Sequence, residues 1–282
     1  MPKLHLSESP YGFLHRKTRN VKKLGFLLLG LLTIRPETTS AAIALDATAK
    51  GPYHGGAVSD SWTHTCTGSN ITLAVLFWED NASAISAVTY NGAAMTFKGS
   101  HYAGVQYLYW YVLANASTGA HAIAYTTTAG QSMAVSISLT GTSGTQPDAM
   151  SAGNSGTAVV PNDSITVVAA NSWILGGFGN DGGNNFIPGD GTAGSTVNVL
   201  DVNMTLGGYG QVWHPSPTAV SSGSNSFGVF GDSGHTLAKQ FNALLMSIAP
   251  FSTAGSASAP LNRGLIIQGG KMTVNGGKVK VQ

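Results

Sequence analysis

ITLAVLFW, residues 71–78, is the stretch on which the fold turns. Read as an extended chain it is apolar on both faces, which is the pattern of a central strand covered on two sides. Turn-forming residues bound it, with Gly68-Ser69-Asn70 before it and Asn81 soon after. The neighbouring runs are also short and strand-like. Val88 and Tyr90 lead through Asn91-Gly92 into AAMTF (93–97), and Asn-Gly between two such runs is a hairpin signal. YLYWYVL (107–113) places Leu108 and Trp110 on one face and Tyr107, Tyr109 and Tyr111 on the other. In MAVSISL (133–139), Met133, Val135, Ile137 and Leu139 point inward, and Ala134, Ser136 and Ser138 point out. From Val58 onward no amphipathic helix longer than about two turns competes with this reading.

The later half repeats the plan. Asp163-Ser164-Ile165-Thr166 followed by NSWILGGF (171–178) parallels Asp60-Ser61-Trp62-Thr63 followed by SNITLAVLF (69–77). ALLMSIAPF (243–251) likewise parallels MAVSISL. The expected architecture is all-β, a jelly-roll-like two-sheet β-sandwich over residues 43–252 with similar halves at 43–145 and 146–252. An N-terminal segment (1–42) and a linker with a short C-terminal β-repeat tail (253–282) flank it.

Composition agrees with this class. Of 282 residues 37 are glycine and only 9% are charged, while hydrophobic residues reach 43%, which argues against a disordered chain. The net charge of +2 hides a partition. Residues 1–50 carry +5, residues 51–260 carry −7 and the remaining tail +4. An acidic body does not suit a phosphate backbone, so nucleic acid is not an expected partner. Basic ends beside an acidic body favour contact between copies of the chain or with other structural subunits. Cys66 is the single cysteine, so an intrachain disulfide is excluded and a buried small hydrophobe is expected there.

Four stretches carry a resemblance: SDSWTHTCTGSNITLAVLF (59–77), VTYNGAAMTFKGS (88–100), YLYWYVLANASTGAHAIAYT (107–126) and MAVSISLTGT (133–142). Together they resemble a widespread β-sandwich module of bacterial cell-surface proteins and tailed-phage virion proteins. The resemblance covers the first half of the body well and the second loosely. It implies an exposed, non-catalytic display or attachment role, on a virion surface or outside a cell, and it brings no set of functional residues.

The residues themselves offer few chemical motifs. Eight histidines are scattered, with no HExxH and no GxSxG pattern. His64 beside Cys66 shares a strand face with it but lacks a third orienting group, and a strand-edge residue packing near Trp62 is the plainer reading. Glu79 and Asp80 sit side by side in an expected turn, and no carboxylate pair is set up to flank a sugar bond. Asp60 and Asp163 hold matching positions at strand starts. The loop GNDGGNNFIPGDGTAG (179–194) offers Asp181, Asn184, Asn185 and Asp190 as hard oxygen donors for Ca2+, without the EF-hand spacing. No other cofactor is expected. Glycan contact falls to strand aromatics, Tyr107, Tyr109, Tyr111, Tyr209 and Trp213, because apolar sugar faces stack on rings. Packing within the protein is their competing fate.

The ends raise questions of their own. Lys22-Lys23, the apolar run Leu24–Ile34 and the small residues Ser40, Ala41 and Ala42 fit a secretory signal or a docking arm. The run is too short for a stable membrane span. The chain closes on QGGKMTV (268–274) and NGGKVKV (275–281), a tandem unit of a Gly-Gly turn and a short strand. Lone hairpins of this size are marginal in water, so residues 261–282 are expected to assemble with other sheets or subunits. Leu265, Ile267, Lys271, Val274, Lys278 and Val281 would be the docking residues, the lysines limiting uncontrolled edge pairing.

Overall fold

A computed structural model describes residues 41–80, 85–104, 106–128, 130–181, 195–203, 208–216, 218–229 and 239–252, with four two-residue strands beyond them. The chain divides into two compact units, Met1–Pro36 and Glu37–Gln282, and every described residue belongs to the second. Among the described residues each regular element is a strand, every strand pairing is antiparallel, and no helix is long and apolar enough to cross a membrane.

The first half holds β1 (Ala44–Lys50), β2 (Val58–Cys66), β3 (Thr72–Glu79), β4 (Ile85–Tyr90), β5 (Ala93–Ala94), β6 (Thr96–Tyr102), β7 (Tyr107–Ala114), β8 (Gly119–Thr127) and β9 (Ser132–Thr140). The second holds β10 (Ala149–Met150), β11 (Asn154–Ala158), β12 (Asn162–Val167), β13 (Ser172–Asp181), β14 (Ser195–Asn203), β15 (Gly208–Ser216), β16 (Ala219–Val220), β17 (Gly223–Gly228) and β18 (Lys239–Ile248). Sheet I runs β2-β8-β4-β5, and sheet II runs β1-β9-β3-β7-β6. Sheet III runs β10-β18-β13-β15-β14, with β11 also on β18 and β16 on β13, and sheet IV is β12-β17.

These sheets stack as four layers. Trp62, Phe77, Ile123 and Tyr125 fill the space between sheets I and II. Ile165, Phe178, Phe227 and Leu245 fill that between III and IV. The middle joint packs Leu76, Trp78, Trp110 and Ile137 of sheet II against Leu175, Val212, Leu244 and Met246 of sheet III. Each half is thus a sandwich, and the two press together through their larger sheets. That third joint explains why every residue of β3 is buried: Leu73, Val75 and Phe77 face sheet I, and Ala74, Leu76 and Trp78 face sheet III. It also corrects the outward reading of Ser136 and Ser138. They leave the middle joint only to enter the layer under sheet I, where both are fully buried. Glu79 likewise is no turn residue: it closes β3 and is fully buried, its Oε1 accepting from Thr127 Oγ1 at 2.5 Å.

The strand orders of the halves coincide. The order β1-β9-β3-β7-β6 over β2-β8 in the first half matches β11-β18-β13-β15-β14 over β12-β17 in the second. Side chains repeat with the strands. Asp46 accepts from Thr67 N at 2.9 Å and from Ser138 Oγ at 2.7 Å, and Asp148 accepts from Val168 N at 2.7 Å and Ser247 Oγ at 3.2 Å. Each carboxylate therefore ties the start of its half, in β1 or just before β10, to the residue that follows β2 or β12 and to the last strand, β9 or β18. Asp60 and Asp163 each accept from the following serine N–H, at 2.6 and 2.7 Å.

The middle joint is not symmetric in size. Gly177, Gly179 and Gly210 of sheet III face the large side chains of sheet II, and a Cβ on Gly210 would stand 2.3 Å from the Trp78 ring. A Cβ on Gly177 would meet Leu76 at 2.4 Å. Trp78 lies in that glycine-lined hollow and donates from Nε1 to Phe178 O at 3.2 Å, while Trp110 donates to Leu244 O at 3.1 Å. One sheet supplies the knobs and the other the holes, which favours the pairing of unlike halves over like ones. The Asn91-Gly92 turn joins β4 to β5 as the sequence implies, with φ of 51° and 76° at its two residues.

Candidate functional site

The most exposed cluster of large side chains among the described residues lies where β6, the edge of sheet II, runs beside β7. Strand alternation puts Tyr107, Tyr109 and Tyr111 on the side of sheet II that faces sheet I. Sheet I reaches over Tyr111, which is buried and donates its hydroxyl to Ile85 O of β4 at 2.6 Å. It leaves Tyr107 and Tyr109 half-buried. Opposite them, Tyr102 pairs with Tyr107, and a bulge in β6 between Phe97 and Gly99 sets Phe97 against Tyr111. Phe97 and Tyr102 are each 49% exposed.

The rings form a continuous row. Tyr102 stacks on Tyr107 with centroids 4.3 Å apart, and Tyr107 stacks on Tyr109 at 5.7 Å. Phe97 follows at 6.4 Å from Tyr109 and 5.4 Å from Tyr111, and Phe77 continues the contacts into the core at 5.8 Å from Tyr111. The Tyr102 hydroxyl donates to Gly104 O. Glu79 is fully buried and paired in register with Tyr107. Burial raises the phenol pKa of Tyr109 and of Tyr111, and the Glu79 carboxylate raises both further. Tyr125 is pushed up to about 12, first by burial and then by the charges of Asp60 and Glu79. All three phenols are neutral at ordinary pH.

A second polar cluster lies between β2 and β9. His64 is buried, with Nδ1 2.8 Å from Ser136 Oγ and Nε2 3.0 Å from Ser138 Oγ. Trp62 donates from Nε1 to Ser136 Oγ at 3.0 Å, and Ser138 passes the chain of bonds to Asp46. Burial lowers the His64 pKa to about 4, with the Asp46 charge opposing, so the imidazole is neutral. Both of its nitrogens are engaged and Ser136 and Ser138 are fully buried, so this cluster braces the two sheets. His64 thus lies on β2, the edge strand of sheet I, with its side chain buried and bridging to sheet II. Cys66, two residues on, is buried and its thiol pKa is raised by that burial.

The structure sorts the sequence-based candidates. Tyr107 and Tyr109 lie in the exposed row. Tyr111 does not present its ring, because sheet I covers it. Trp213 is fully buried between sheets III and IV, its Nε1 bonded to Gln211 Oε1 at 3.1 Å, so glycan contact there is excluded. Tyr209 is placed only as a backbone position in β15, and Asp181 only as the last residue of β13. Asn184, Asn185, Asp190, Leu265 and Val281 lie outside the described residues. Ile267 and Lys271 fall in the pair β19 (Ile267–Gln268) and β20 (Lys271–Met272), and Val274 and Lys278 in β21 (Val274–Asn275) and β22 (Lys278–Val279). Each pair is an antiparallel ladder of two residue pairs. Phe97 and Tyr102 are the site residues that sequence reasoning missed. Their alternation is broken by the bulge between Phe97 and Gly99. In comparisons with protein-family models, curated proteins and solved structures, no match to this chain is found.

Proposed function

We propose that this chain is a non-enzymatic display and attachment protein. It is carried on a surface, as a virion appendage or decoration subunit or on the outside of a cell, and it meets its target through the aromatic edge of β6 and β7. The observation that carries the reading is the pre-stacked, half-exposed ring row on the rim of a four-layer block. Exposed aromatic patches on otherwise polar surfaces mark interaction sites, and a rigid support holds such a patch in one geometry.

Two further features support a placed and presented body. Apart from β6, which is added at the edge of sheet II, the first half's orders β1-β9-β3-β7 and β2-β8-β4-β5 suit an eight-strand jelly roll, an architecture common in capsid and lectin domains. The buried polar groups around His64 and Asp46 are spent on holding sheets together. The small tail hairpins fit assembly with copies of the chain or with other structural subunits.

The test is adherence of the full chain to its natural target surface. The double variant Phe97→Ala/Tyr102→Ala, folded as judged by circular dichroism, is expected to lose at least about tenfold in adherence, the size of two lost ring contacts. Adherence equal to the unaltered chain contradicts the reading.

A further inference from the structure

We infer that the occupant of the aromatic edge is a neutral saccharide, one to three rings long, that rests on Phe97 and Tyr102. This rests on the attachment reading above and names the chemistry of the same site.

Size is the first argument. Two half-exposed rings and two half-buried ones offer roughly 300–400 Å2, well below the ~1,000 Å2 that a specific protein interface needs. It is enough for a few sugar rings. Chemistry is the second. The apolar C–H faces of a sugar match ring faces, and its hydroxyls match the phenols of Tyr102, Tyr107 and Tyr109 and the exposed Ser100. A phenol hydroxyl can both donate and accept. Preorganisation is the third: stacking at 4.3 and 5.7 Å fixes Tyr107 and Tyr109 before any ligand arrives, which lowers the ordering cost.

Charge selects the class of sugar. Among the described residues Lys98, in the β6 bulge, is the cation next to Phe97 in the chain, and Glu79 is buried and paired with Tyr107. One lysine over one carboxylate gives no net positive field, whereas an acidic glycan calls for a cluster of cations. A second copy of the chain is disfavoured by the same strand, since a bulge and a lysine are the features that blunt a free sheet edge.

The experiment uses the full chain on an array of neutral and acidic saccharides, with Phe97→Ala, Tyr102→Ala and, as a control on the outer face of sheet I, Thr63→Ala. Unchanged thermal midpoints establish that the exposed-site variants fold. The expected result is binding to neutral saccharides that weakens about tenfold in each ring variant and persists in the control. No neutral saccharide bound, binding unchanged in both ring variants, or binding confined to acidic sugars each overturns the inference. So does a change in sedimentation of the unaltered chain that the ring variants abolish, which assigns the edge to a second copy. If adherence to the natural surface depends on Tyr102 yet survives glycosidase treatment of that surface, the saccharide inference fails and the attachment reading stands.

Discussion

Gly210 and Trp78 show how single residues fix the joint between the halves. The Trp78 ring occupies the space where a Gly210 Cβ would stand, 2.3 Å away, and both positions are held by backbone in the middle of sheets. Gly210→Ala is therefore expected to destabilise by about 1–3 kcal/mol through overpacking, and Trp78→Ala by about 3–5 kcal/mol through the cavity it opens. Urea titration of each variant checks both values. His64 makes a pH-dependent contribution. Its folded pKa of about 4 lies below the ordinary 6.5, so the unfolded chain takes up the proton first as the pH falls. Stability should then decline from pH 6.5 to about 4, and His64→Gln should flatten that part of the profile in urea midpoints measured across the range. Asp46 acts lower still: burial raises its pKa, but the bonds from Thr67 and Ser138 outweigh this and hold it below 3.8. Its stabilisation is present above that value and is lost on further acidification.

At the scale of elements, β3 was legible because its apolar residues fill both faces, which only a strand covered on two sides can use. The same run does not say what covers it, so the sandwich was readable but the third joint was not. Gly176-Gly177-Phe178-Gly179 in β13 carries no mark of its partner, because a glycine records the absence of a side chain and not the tryptophan that fills the gap. The duplication was half-visible. The Asp-Ser starts of β2 and β12 could be matched by eye, while the Asp-Ala pairs at 46–47 and 148–149 were the unread signal of the repeated bracket. In the candidate site Tyr107 and Tyr109 follow from alternation in β7. Phe97 and Tyr102 do not, since a bulge shifts the register of β6 by a residue. Because Asp46 and Asp148 do the same work, Asp46→Ala and Asp148→Ala should each cost about 1.5–3 kcal/mol, the range for hydrogen bonds to a charged group. Chemical denaturation of the two variants side by side reads this, and a cost at only one of them would show that the bracket matters in one half alone.

For the whole molecule, the shared middle joint ties the two sandwiches into one block. Leu76, Trp78 and Trp110 are fully buried only while sheet III covers them, so neither half is expected to melt alone. Calorimetry on the full chain should give one transition for residues 43–252, with equal calorimetric and van't Hoff enthalpies. Two separated transitions would contradict the coupling. In the proposed reading the tail serves assembly, so a chain ending at Pro260 is expected to show a smaller oligomer by sedimentation than the full chain. Equal sizes would remove residues 261–282 from that role. The display reading is tested most directly by where the protein sits, through immunogold electron microscopy of native particles or cells with an antibody to the β-sandwich block. Gold on the outer surface, reached without permeabilisation, is the predicted result. Gold confined to the interior would contradict the account.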